Sequence, residues 1–131
     1  MIGIDTNVLV RYIVQDDPKQ SRQASHFIEV IGKEEHSIFV NGIVLCELVW
    51  VLESAYEYSQ HNIAKVLEKI LRTRQFMIYQ PEILWRSFHD YRDKNLDFSD
   101  SYIAHLNLAH GCKHTVTCDK KALRLKLFKQ P

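Results

Sequence analysis

Four short apolar runs, Ile2–Ile4, Ser37–Val40, Phe76–Tyr79 and His114–Thr117, punctuate this chain at wide intervals. Runs of that length suit buried strands better than helices. The segments between them carry helical periodicity. Short apolar strands alternating with helices predict an α/β fold class built on a central, mainly parallel sheet flanked by helices. In such folds ligands gather outside the carboxyl ends of the strands. The first run ends there on a carboxylate, in the sequence MIGIDTN.

The helical segments are readable one by one. Asp5-Thr6-Asn7 offers capping chemistry to an apolar turn over Val8–Val14, and "DDP" marks a break after it. Beyond Pro18, the spacing of Ala24, Phe27, Ile28 and Ile31 predicts a helix. Asn41-Gly42 turns into an apolar helix over Ile43–Ala55. "NIAKVLEKILRTR" places Ile63, Val66, Leu67, Ile70 and Leu71 on one face and its cations on the other. Pro81 opens a helix reaching about Lys94. "DFSDSYIAHLNLAHG" predicts another, with Ser99 as N-cap and Gly111 as its stop, and a last short helix is expected over Lys120–Leu127.

Composition bounds the class. At 131 residues, 46% hydrophobic and 25% charged, the chain suits one soluble domain spanning 1–131. Net charge is +1, from 17 basic and 16 acidic side chains, so the molecule is no polycation and nucleic acid would need a local patch. Cys46, Cys112 and Cys118 form no CxxC and no disulfide or zinc framework, which points to a reducing, cytoplasmic setting. No signal peptide is expected, since Asp5 interrupts the first apolar run. The most apolar stretch, GIVLCELVWVL, is too short for a bilayer and carries Glu47.

The carboxylates carry the functional signal. Asp5 and Asp119 each follow a strand directly, and Asp100 falls in the first turn of its helix. Taken alone, Asp5 and Asp119 suit a cap as well as a site, and the helix dipole by itself accounts for Asp100. Asp97 is an additional candidate, as ligand, support or loop. Glu47 differs, because its helical neighbours Ile43, Val44, Trp50 and Val51 are apolar. A carboxylate buried among them would need neutralising, pairing or a metal. Acids gathered at one sheet edge repel one another, and Mg²⁺ or Mn²⁺ with hard oxygen ligands relieves that repulsion. Thr6, Asn7, Ser99 and Thr117 adjoin the acids and suit a supporting shell.

"IDTNVLVRY", the lone Glu47 in an apolar helix, "DFSDSYIA" and "TVTCD", in that order, resemble the PIN-domain family. Compact length and motif order look most like its VapC-type toxins from type II toxin–antitoxin systems. The resemblance runs from Ile2 to the segment after Asp119. It implies a parallel sheet of five strands, hence four to five here. It carries the family's acidic quartet over as Asp5, Glu47, Asp100 and Asp119, acting as catalytic and metal-binding groups. Asn7 and Thr117 match supporting positions. Ser101 departs from an alanine that often follows the third acid. The family's activity would be endoribonuclease hydrolysis with one or two Mg²⁺ (or Mn²⁺) ions, leaving 5′-phosphate and 3′-hydroxyl ends. Implied partners are tRNA or another structured RNA as substrate, a VapB-like antitoxin blocking the site, and a second copy in a homodimer. Operator DNA is reached only through the antitoxin, and no membrane is involved.

Substrate approach needs cations. From Lys113 onward stand Lys113, Lys120, Lys121, Arg124, Lys126 and Lys129 against the single acid Asp119, a phosphate-binding face or simply a solvated one. Trp50, Tyr12 and Tyr102 could stack bases, although aromatics at helical spacing more often build core. Two rivals remain at this level. An acid-edged phosphohydrolase or phospho-acceptor domain would want an early Asp-x-Asp or an acidic pair, where this chain has Asp5-Thr6-Asn7. A catalytically silent binding domain would use the acids as caps.

Overall fold

Strand β1 (Ile2–Gly3) pairs in parallel with β2 (Ile38–Val40), Ile2 opposite Ile38, and β2 pairs in parallel with β3 (Phe76–Ile78), Ile38 opposite Phe76. The computed structural model describes residues 1–131 and groups them into two units, Met1–Tyr79 and Gln80–Pro131.

In the N-terminal unit every link between sheet neighbours is helical, as parallel pairing requires. Helix α1 (Thr6–Val14) and α2 (Pro18–His26) join β1 to β2, and α3 (Gly42–Ser54) and α4 (Gln60–Leu71) join β2 to β3. Asp17 caps α2 by accepting from Gln20 N at 2.9 Å, and Pro18 takes the first helical position, where its missing N–H costs nothing. The predicted continuation through Ile31 is present as a wider turn, Phe27–Ile31, in which Gly32 N donates to Phe27 O at 2.7 Å over five residues. Leu9, Ile28, Ile38, Val40, Leu45, Leu48, Leu52, Ile63 and Leu67 are buried. Each such side chain contributes about 1.5–3 kcal/mol. The strands end at one edge of the sheet, from which Asp5 and the start of α3 emerge.

The C-terminal unit holds α5 (Pro81–Lys94), α6 (Phe98–Ala109), β4 (Thr115–Val116) and β5 (Phe128–Lys129). The two helices pack together, with Tyr91 edge-on to Phe98 at 6.0 Å between centroids. Leu96, Ala104, Ala122, Leu125 and Phe128 form a second apolar cluster. β4 and β5 pair in parallel, Thr115 opposite Phe128.

The fold is mixed α/β with parallel pairing throughout, as predicted. Three details are corrected. The five strands form one sheet of three and one of two, instead of a central sheet of four or five. The expected helix over Lys120–Leu127 is only a 3₁₀ turn, Ala122–Arg124, because the apolar Leu125 and Phe128 are drawn into the small core and the chain extends into β5. The N-cap of α6 is Asp97, whose side chain accepts from Asp100 N at 3.0 Å, so Ser99 lies inside the helix. No helix is long and apolar enough to cross a membrane.

Candidate active site

In the N-terminal unit one residue holds both predicted acids. The Thr6 N–H donates to Asp5 Oδ1 at 2.8 Å, and the Thr6 hydroxyl donates to Glu47 Oε1 at 2.9 Å. Thr6 itself is buried while both carboxylates are exposed. Asp5 caps α1 with one oxygen and keeps Oδ2 open. Glu47 does not sit in the apolar surroundings expected of it. It lies on the outer face of α3 between Ile43 and Trp50, which are 68% and 67% exposed. Of its apolar neighbours, Ile43 and Trp50 face outward with it, while Val44 is buried and Val51 half-buried.

In the C-terminal unit Asp97, Asp100 and Asp119 interact. Burial, then the negative charges of Asp97 and Asp119, raise the Asp100 pKa, and the Lys121 ammonium opposes the shift. Asp119 Oδ1 accepts from Lys121 N at 2.8 Å and Ala122 N at 3.4 Å, and the Asp119 N–H donates to Thr117 Oγ1 at 3.1 Å. Thr117 thus fixes the backbone that presents Asp119. Ser99 is half-buried beside Asp100, and Ser101 is buried with its hydroxyl unpartnered.

Other predicted residues sort by exposure. Of the three aromatic candidates, Trp50 is exposed, Tyr102 is buried, and Tyr12 is partly buried and donates to Glu29 Oε1 at 3.1 Å. Lys113, Lys120, Lys121, Arg124, Lys126 and Lys129 are all exposed. The three cysteines are unpaired. Sequence reasoning missed Arg11, Gln20 and Gln23, which line a cavity shared with Asp5 and Asn7. Their signal was available, since Gln20, Gln23, Ala24 and Phe27 repeat at helical spacing.

The donor set has the chemistry of a hard-cation site: carboxylate oxygens, one of them made harder to ionise by burial and then by its acidic neighbours. No three or more His, Cys, Asp or Glu side chains stand grouped as a ready-made cage. Mg²⁺ does not require one, because it keeps several waters and is held by one or two carboxylates plus substrate phosphate.

The PIN-domain family profile matches residues 2–127. The chain belongs to the PIN-domain family. No curated protein matches it. The PIN domain is a nuclease-type fold, and PIN nucleases are hydrolases that generally use divalent metals. In this PIN domain the family match spans both units described above, from β1 to the segment just before β5.

Proposed function

We propose that this PIN domain, as one domain over residues 1–131, is a divalent-metal-dependent endoribonuclease and the VapC-type toxin of a toxin–antitoxin pair. The observation that carries the proposal is the half-buried Asp100 carboxyl within electrostatic reach of Asp97 and Asp119, its pKa raised by burial and then by those two charges. Such crowding costs stability unless a cation or a proton relieves it, which supports the reading of a site for Mg²⁺ or Mn²⁺.

Asp5, Glu47, Asp100 and Asp119 would hold the ion or ions, with Asp97 as an auxiliary. A bound divalent ion would lower the pKa of water and stabilise charge developing on phosphate oxygens. The chain's own residues do the rest. Thr6 fixes the Glu47 carboxylate and, through its N–H, the Asp5 carboxylate. Thr117 and the backbone of Lys121 and Ala122 fix Asp119, leaving its Oδ2 open. Lys121, close enough to act on Asp100, places a cation for a substrate phosphate, and the other exposed cations from Lys113 to Lys129 extend that attraction. The expected partners are an RNA substrate, a VapB-like antitoxin and a second copy of the chain, in the cytoplasm.

The test is incubation of antitoxin-free protein with total RNA and Mg²⁺ or Mn²⁺, beside Asp5→Asn and Asp100→Asn, with 5′-end mapping. Discrete cuts that vanish with EDTA and in both variants are expected. Equal cutting by the variants would refute the proposal.

A further inference from the structure

A cavity of about 720 Å³ opens between α1, α2 and β1, wholly within the N-terminal unit. That volume lies in the range of about 300–1,000 Å³ usual for small-molecule sites. Asp5 and Asn7 line it together with Arg11, Gln20 and Gln23, and Ile4, Val8, Ala24 and Phe27 add apolar wall. We infer that this cavity is a subsite for one nucleobase of the RNA substrate, beside Asp5. This inference rests on the nuclease proposal above and adds to it where a base is read.

The polar wall is built. Arg11 Nε donates to Gln20 Oε1 at 2.7 Å, and Arg11 Nη1 donates to Asp16 Oδ1 at 3.0 Å and to Tyr56 Oη at 3.4 Å. Tyr56 in turn donates to Asp16 Oδ2 at 2.9 Å. Arg11 is therefore locked, and it fixes Gln20 with its carbonyl oxygen spent and its amide donors free. Gln23, one turn further along α2, bonds nothing in the chain and offers both a donor and an acceptor. Asn7 does the same near Asp5. Hydrogen-bonding amides and apolar side chains such as Phe27 in one cavity match a base, which has apolar faces and a polar edge.

An apolar peptide fits less well. Its side chains would offer the Gln20, Gln23 and Asn7 amides nothing to pair with, leaving that to its backbone alone. A base satisfies the amides and the apolar wall at once. Gly3 also lines the cavity, and a Cβ at Gly3 would meet no atom within 4 Å. A side chain there has room to enter the space without displacing the chain.

The experiment titrates the full chain, in EDTA so that nothing is cleaved, with fluorescein-labelled homotetranucleotides of A, C, G and U. Gln23→Ala and Gly3→Leu are compared with the native protein, and circular dichroism and thermal melting verify folding. At least one tetranucleotide is expected to bind, with Kd raised about tenfold or more in either variant. Native affinity in both variants, or no binding by any tetranucleotide, overturns the subsite. Should Gly3→Leu fail to fold, Gln23→Ala decides, because Gln23 is exposed on α2 and supports no packing. RNA cleavage by Asp100→Asn is scored separately. If that variant cuts like the native protein, the nuclease proposal falls, while the titration still judges the cavity.

Discussion

Thr6 Oγ1 donates to Glu47 Oε1 at 2.9 Å, joining residues 41 positions apart and pinning the first turn of α1 to the middle of α3. Replacing Thr6 with valine keeps the shape and deletes the donor. Groups that orient a ligand carboxylate commonly matter by about ten- to a hundredfold. Thr6→Val is expected to cut RNA at least about tenfold more slowly, with a weaker Mn²⁺ dependence, while losing only about 1 kcal/mol of stability. Cleavage rates across a Mn²⁺ titration and a urea melt check both parts.

The Asp100 carboxyl titrates above its ordinary 3.8, through burial first and then Asp97 and Asp119. The folded chain therefore holds that proton more tightly than the unfolded one does. In metal-free protein, ionised Asp100 costs stability at neutral pH, and that cost fades as pH falls through the raised value toward 3.8. Asp100→Asn should raise the metal-free Tm at pH 7 and flatten this part of the pH profile, while abolishing cleavage. Mg²⁺ or Mn²⁺ should raise the Tm of the native protein and leave that of the variant nearly still. A lower Tm for metal-free Asp100→Asn would contradict the crowding.

Ser101 is wholly buried in α6, and its hydroxyl has no partner. Alanine removes an unsatisfied group and suits a helix better by several tenths of a kcal/mol. Ser101→Ala is expected to stabilise the protein by about 1 kcal/mol in a denaturant melt.

His105 Nε2 lies 2.5 Å from Asp90 Oδ2, and Lys94 Nζ lies 3.1 Å from Asp90 Oδ1. Asp90 is only 7% exposed, so its carboxylate depends on those two donors. His105→Ala leaves it with the solvent-exposed lysine alone and should cost about 2–3 kcal/mol. Asp90→Asn, which can still accept from the ring, should cost less. Paired urea melts rank the two.

Where the sequence carried a local rule, it located the fold well. Pro81 at a first helical position and the cations at its far end bracket α5 at Pro81–Lys94. The amphipathic stripe of α4 buries Ile63, Leu67 and Ile70 as periodicity predicts. Ser99 is the cap the sequence predicts for α6, and the structure gives that place to Asp97. The helix then starts at Phe98, which is buried edge-on to Tyr91 in the first turn, a tertiary effect no cap rule contains. Helix α3 is apolar on nearly every side, so periodicity could not tell which face turns outward. That is why Glu47 was expected among buried neighbours and is found exposed beside Ile43 and Trp50. The clustering of Asp97, Asp100 and Asp119 joins residues separated by a whole helix and a strand, and only folding brings them into electrostatic reach.

Trp50 gives the molecule an optical property of its own. Its indole is largely in water, one helical turn from Glu47, whereas the half-buried Trp85 stands edge-on to Phe88 with 5.7 Å between centroids. The two indoles thus emit from different surroundings, and the red-shifted share belongs to α3. Arrival of an ion or a nucleotide near Glu47 can be followed by the intrinsic emission of the unlabelled chain, with Trp85 as its internal reference.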